Sequence, residues 1–73
     1  MPRRLKLSPM QRDIMLSIEE AGSEPVGTVF ATVKPSSMAS FSEELEGLVI
    51  RGLVEKGSEE LVITADGIEA LWK

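Results

Sequence analysis

The side chains able to do chemistry fall into three groups along the chain. Arg3, Arg4, Lys6 and Arg12 crowd the first twelve residues with no acid among them. Lys34, Ser36, Ser37 and Ser40 gather near the middle, and Lys56 with Ser58 flanks Gly57 further on. Lysine and arginine suit a polyanion, because neutralising phosphates releases condensed counterions. Serine hydroxyls and helix amino termini suit single phosphate oxygens. The acids point elsewhere. Residues 1–12 carry +4, whereas residues 13–73 hold four bases and twelve acids for −8, which together give the net −4. In an enzyme Glu43 and Glu46 would be the carboxylate pair, but the chain has no cysteine and no histidine. Disulfides, thiolate zinc sites, Cys or Ser/His nucleophilic dyads and a histidine base are therefore excluded. With no Gly-rich phosphate loop, no cluster of metal ligands and little chain to enclose a pocket, we expect no enzyme, no cofactor and no metal.

Few elements are available to position these groups. A chain of 73 residues makes one domain that buries about 60% of its unfolded surface. We divide it into a basic arm over residues 1–7 and a single folded unit over residues 8–73. Ser8-Pro9 starts a first helix, the serine as cap and the proline at the first helical position. Met10, Ile14, Ile18 and Ala21 form its inner stripe, Met15 widens it, and Gly22 ends it. The methionines read as adaptable core filler. Glu24-Pro25-Val26-Gly27 is an edge strand or a turn, since proline cannot sit in a central strand. Thr28 is expected to cap a brief second helix that turns Val29, Phe30 and Val33 inward and stops at Pro35.

The turn Lys34-Pro35-Ser36-Ser37 leads into a third helix. A start at Ser37 places Met38 on the inner face with Phe41, Leu45, Leu48 and Val49; a capping box of Ser40 and Glu43 is the other candidate start. Arg51 and Gly52 end this helix. Its outer face then carries Ala39, Glu43, Glu46, Gly47 and Ile50, with no arginine, lysine, asparagine or glutamine. Leu53-Val54 and Leu61-Val62-Ile63 flank a loop with Gly57-Ser58 as turn signal, which makes a hairpin. Thr64 caps a closing helix whose Ile68, Leu71 and Trp72 are expected to pack on the first, Trp72 as a core anchor or as half of a small dimer contact.

The succession FSEELEGLVIRGLVEK (Phe41 to Lys56) and LVITADGIEAL (Leu61 to Leu71) resembles the wing of winged helix-turn-helix domains, especially small bacterial and archaeal regulators of the multiple-antibiotic-resistance type. The resemblance implies an α+β fold: a three-helix core, a small antiparallel sheet whose hairpin is the wing, and a short C-terminal helix. It implies that a short strand near Pro25 joins the hairpin and that the third helix is the recognition helix. Members that dimerise often do so through a longer helix at the carboxyl end, where this sequence stops at Lys73.

Two functional expectations follow. The first is a DNA-binding module, a small transcriptional regulator that contacts double-stranded DNA through phosphates. Arg3, Arg4 and Lys6 form the arm, Lys34, Ser36, Ser37 and Ser40 sit at the turn and the start of the third helix, and Lys56 with Ser58 sits on the wing. The alternative is a protein-interaction module that offers Ala39, Glu43, Glu46, Gly47 and Ile50 to a protein partner or a second copy. The outer glutamates favour that alternative, because base readout rests mostly on Arg, Lys, Asn and Gln, and a carboxylate is repelled by phosphates. No apolar run approaches the roughly 18 residues of a membrane span and no signal-peptide core follows Lys6, so no membrane partner and a cytoplasmic location are expected.

Overall fold

A computed structural model describes residues 7–72. The described residues are α+β, with four helices and a three-stranded antiparallel sheet. In chain order these are α1 (Pro9–Ala21), β1 (Ser23–Pro25), α2 (Val26–Val33), α3 (Met38–Ile50), β2 (Val54–Lys56), β3 (Glu60–Ile63) and α4 (Ala65–Trp72). The strand order is β1-β3-β2, so β3 is central and both neighbours run antiparallel to it.

Local chemistry sets most boundaries. Ser8 caps α1 through a capping box: the Gln11 N–H donates to Ser8 Oγ at 3.1 Å and the Ser8 N–H donates to Gln11 Oε1 at 3.1 Å. Each side chain thus satisfies an orphan backbone donor of the other. Ser37 caps α3, its Oγ accepting from the Ser40 N–H at 3.1 Å, so the helix starts there and the Ser40/Glu43 alternative falls away. The end of α3 closes by a Schellman motif. The Leu53 N–H donates to the Leu48 carbonyl at 3.0 Å and the Gly52 N–H to the Val49 carbonyl at 3.0 Å, with Gly52 at φ +77°. That left-handed position is one where glycine carries no Cβ penalty. Thr64 caps α4 by accepting the Gly67 N–H at 2.9 Å, while its own hydroxyl lies within hydrogen-bond distance of the Gly52 and Leu53 carbonyls.

One boundary differs from expectation. The second helix starts at Val26, two residues before Thr28, and Pro25 precedes it in extended conformation with no side-chain cap. Thr28 lies exposed inside the helix. Pro25 ends β1 opposite Glu60, and the chain turns directly into a helix that buries Val29 in the core. Packing, not capping, fixes this start.

The core is built around α1, which packs against α2, α3, α4 and the β1 and β3 strands. Ile14, Met15 and Ile18 from α1 meet Val29, Phe41, Leu45, Leu48, Leu53, Val54, Leu61 and Leu71, all buried. The two rings of the α2–α3 pair, Phe30 and Phe41, meet edge to face with centroids 5.1 Å apart, a favoured aromatic geometry. Leu61, Val54 and the partly buried Ile63 share the helix-facing side of the sheet. Glu24, paired with Leu61, lies on the same side and accepts a hydrogen bond from the buried Ser17 hydroxyl. Gly67 seats α4 on this framework. A Cβ there would lie 2.8 Å from Ile63 Cγ1 and closer still to the Leu53 carbonyl oxygen. No helix among the described residues is long and apolar enough to cross a membrane.

Several inward assignments need correction. Ile68 is 41% exposed and Trp72 63%, so Leu71 and the partly buried Ala70 join α4 to the core and Trp72 is not a core anchor. Met38, the first residue of α3, is 58% exposed and does not join the core. Ala21 is exposed at the last turn of α1, and two polar residues, Gln11 and Ser17, take buried positions on that helix instead. Both are bonded: Ser17 to Glu24, and Gln11 Nε2 to the Glu44 carbonyl at 3.3 Å.

Candidate functional site

The junction between α2 and α3 exposes the polar residues Lys34, Ser36 and Ser37. Lys34 ends α2 in the left-handed region (φ 55°, ψ 56°), with its N–H donating to the Phe30 carbonyl at 2.9 Å. A lysine in that conformation carries the Cβ strain that glycine avoids, and Pro35 directly after it blocks any continuation of the helix. Lys34, Ser36 and Ser37 are exposed and Ser40 is half-buried. Ser37 Oγ takes up the Ser40 N–H. The N–H groups of Met38 and Ala39 have no carbonyl to reach within their own helix. The first turn of α3 therefore offers two open backbone donors, the positive end of the helix dipole and one lysine, with no acid in that turn.

The β2–β3 hairpin is arranged differently. Lys56 pairs with Leu61 and so stands on the helix-facing side of the sheet, beyond the core. Glu55 pairs with Val62, and these two share the outer side with Ser23 and Glu60. The turn closes with the Gly57 N–H donating to the Glu60 carbonyl at 2.8 Å, and Ser58 and Glu59 are exposed at its tip. A shallow concavity beside it is lined by Gly57, Ser58, Glu59, Glu60 and Val62. The hairpin thus presents one lysine and one serine among three exposed glutamates.

The free face of α3 is acidic and apolar. Ala39, Glu43 and Glu46 are exposed, and Ile50 is 78% exposed, the highest value among the large apolar side chains described. Gly47 does not belong to that face. It is half-buried against α1, and a Cβ on it would lie 3.1 Å from Gln11 Nε2. Ser42 and Met38 lie on the exposed part of α3 in its place. Val49, expected to point inward, is only partly buried against the core.

Sequence reasoning missed Glu44. Its carboxylate accepts from Ser8 Oγ at 3.0 Å and its carbonyl from Gln11 Nε2 at 3.3 Å, which ties the start of α1 to the middle of α3. No local signal marks it, because its partners are more than thirty positions away in the sequence. Arg12, read as part of the basic head, donates from Nη1 to the Leu71 carbonyl at 3.2 Å and so serves the end of α4.

Arg3, Arg4 and Lys6 lie outside the described residues. Leu7 is partly buried on the core and Ser8 is bonded to Glu44, so the chain emerges beside α3. Among the described residues no group of acids could hold a metal ion, and no buried side-chain polar atom lacks a hydrogen bond. No known family, curated protein or solved structure matches this chain.

Proposed function

We propose that the chain is a winged-helix module that binds double-stranded DNA through its phosphates, in the manner of a small transcriptional regulator. The order of elements supports the fold reading: a helix pair joined by a four-residue turn, followed by a hairpin whose central strand also pairs with the strand after α1. The observation that carries the functional reading is the amino end of α3. Lys34, Ser36 and Ser37 stand exposed there around open N–H groups and a first turn without acids, the arrangement a phosphate needs. Lys56 and Ser58 on the hairpin and Arg3, Arg4 and Lys6 ahead of the fold supply further contacts. Glu43 and Glu46, exposed one and two turns along, keep the rest of α3 away from the base edges, so binding is governed by charge more than by sequence.

A labelled duplex titrated at several salt concentrations tests this. Affinity falls steeply as salt rises, and Lys34→Ala and Lys56→Ala each weaken all sequences alike and lower the logarithmic salt slope by about one. Absence of binding at low salt sinks the reading.

One observation favours a second reading. Ile50 at 78% exposure between Glu46 and Arg51 is an apolar side chain on a face that DNA would not use. A protein-interaction module would place a partner there, and Ile50→Asp would abolish that contact while leaving duplex affinity nearly unchanged.

A further inference from the structure

The chain has no cysteine and four methionines, so thioethers are the sulfur groups that an oxidant meets. The fold separates them sharply. Met15 is fully buried and Met10 is packed against the core, while Met1 lies outside the described residues. Met38 is 58% exposed and is the first residue of α3, between Ser37 and Ala39, which are exposed as well. We propose that Met38 is a peroxide-reactive site whose sulfoxide closes the amino end of α3 to phosphate. This rests on the phosphate reading of that end and adds its regulation.

The step is a two-electron oxidation. A lone pair on Met38 Sδ attacks one oxygen of hydrogen peroxide, and the S–O bond forms as the O–O bond breaks. The proton on the transferred oxygen passes to the departing hydroxide, which leaves as water. Sulfur is oxidised and peroxide is reduced. No charge is added, but an apolar thioether becomes a polar hydrogen-bond acceptor. The open N–H groups of Met38 and Ala39 belong to the same first turn, and an unbranched methionine side chain adapts readily. The new oxygen takes up one of these donors and stands where a phosphate oxygen would. Because Met38 does not join the core, its oxidation leaves the packing intact. A methionine sulfoxide reductase restores the thioether.

Hydrogen peroxide titrated into the isotopically labelled full chain, without DNA, tests the chemistry. Peptide mass spectrometry should find Met38 converted well before Met10 and Met15, with the melting temperature near that of the untreated chain. The amide signals of Met38 and Ala39 should move on oxidation. Met38→Gln, which carries a neutral acceptor from the start, should move the Ala39 signal in the same direction. Met10 or Met15 converted as fast as Met38, or Met38 and Ala39 amides that stay in place, would overturn the proposal. Duplex titration tests the consequence. At low salt the oxidised chain should bind on the order of tenfold more weakly, the worth of one hydrogen bond to a charged group. The salt slope should be unchanged, because no charge is gained or lost. Met38→Leu should have the same affinity before and after peroxide; a loss that persists in this variant would place the effect at another residue and overturn the proposal. An untreated chain that binds no duplex would instead sink the DNA reading, and the mass and amide readouts would still decide whether Met38 is the reactive site.

Discussion

Gly67→Ala is the substitution for which helix propensity and packing disagree in sign. Gly67 is the third residue of α4, where alanine would favour the helix by up to about 1 kcal/mol. The structure opposes that gain. A Cβ at Gly67 would crowd the Leu53 carbonyl oxygen, lie 3.1 Å from the Leu53 carbonyl carbon and 2.8 Å from Ile63 Cγ1. Backbone cannot step aside as a flexible side chain can, so α4 must lift. Forced overpacking costs about 1–3 kcal/mol. The lift also stretches the bonds from the Thr64 N–H (3.1 Å) and hydroxyl (3.0 Å) to the Leu53 carbonyl, each worth roughly 1 kcal/mol. The net expectation is a loss of about 2 kcal/mol, a fall in melting temperature on the order of 10 °C for a domain of this size. Thermal and urea unfolding followed by circular dichroism, with Glu69→Ala on the exposed side of α4 as control, measure it. A Gly67→Ala protein as stable as the parent, or more stable, would refute the placement of α4 on the β2–β3 framework.

Phe41→Ala should cost about 3–5 kcal/mol, because the ring is buried and meets Phe30 edge to face. Trp72→Ala, which the sequence alone would rank beside it, should stay within about 1 kcal/mol given its 63% exposure; chemical denaturation of the pair checks the contrast. Ser37→Ala removes the cap of α3 and should lower stability by about 1 kcal/mol while weakening duplex binding, read by calorimetry and by fluorescence titration. Glu43→Gln/Glu46→Gln should tighten binding to duplexes of any sequence at low salt, and the gain should vanish at high salt, because it is electrostatic.

The places where sequence reasoning held are those where a residue acts on its own neighbours. Ser8, Gly22, Ser37 and Gly52 mark helix ends through bonds or dihedral angles reached within a few residues, and Gly57-Ser58 marks the hairpin. Periodicity likewise found Ile14, Ile18, Phe41, Leu45 and Leu48. What it could not give is which flank of a helix a neighbour covers. Gly47 and Glu44 sit at the edge of the outward arc of α3, and only the docking of Gln11 and Ser8 from α1 turns them inward. Trp72 and Ile68 share the apolar pattern of α4, but that two-turn helix meets the core through Gly67, Leu71 and the partly buried Ala70. Of the candidate phosphate site, Lys34, Ser36 and Ser37 are brought together by the α2–α3 junction. Lys56 stands on a separate element, and its side of the sheet follows from a strand register that no local signal sets.

The most direct measurement is an amide map of the labelled protein on addition of a short duplex at low salt. The account predicts that signals of Lys34, Ser36, Ser37, Met38 and Ala39 move together with those of Lys56 and Ser58, to the same extent for two unrelated duplex sequences. Glu55 and Val62, on the outer side of the hairpin, stay in place. A duplex that leaves the amino end of α3 unmoved would contradict it.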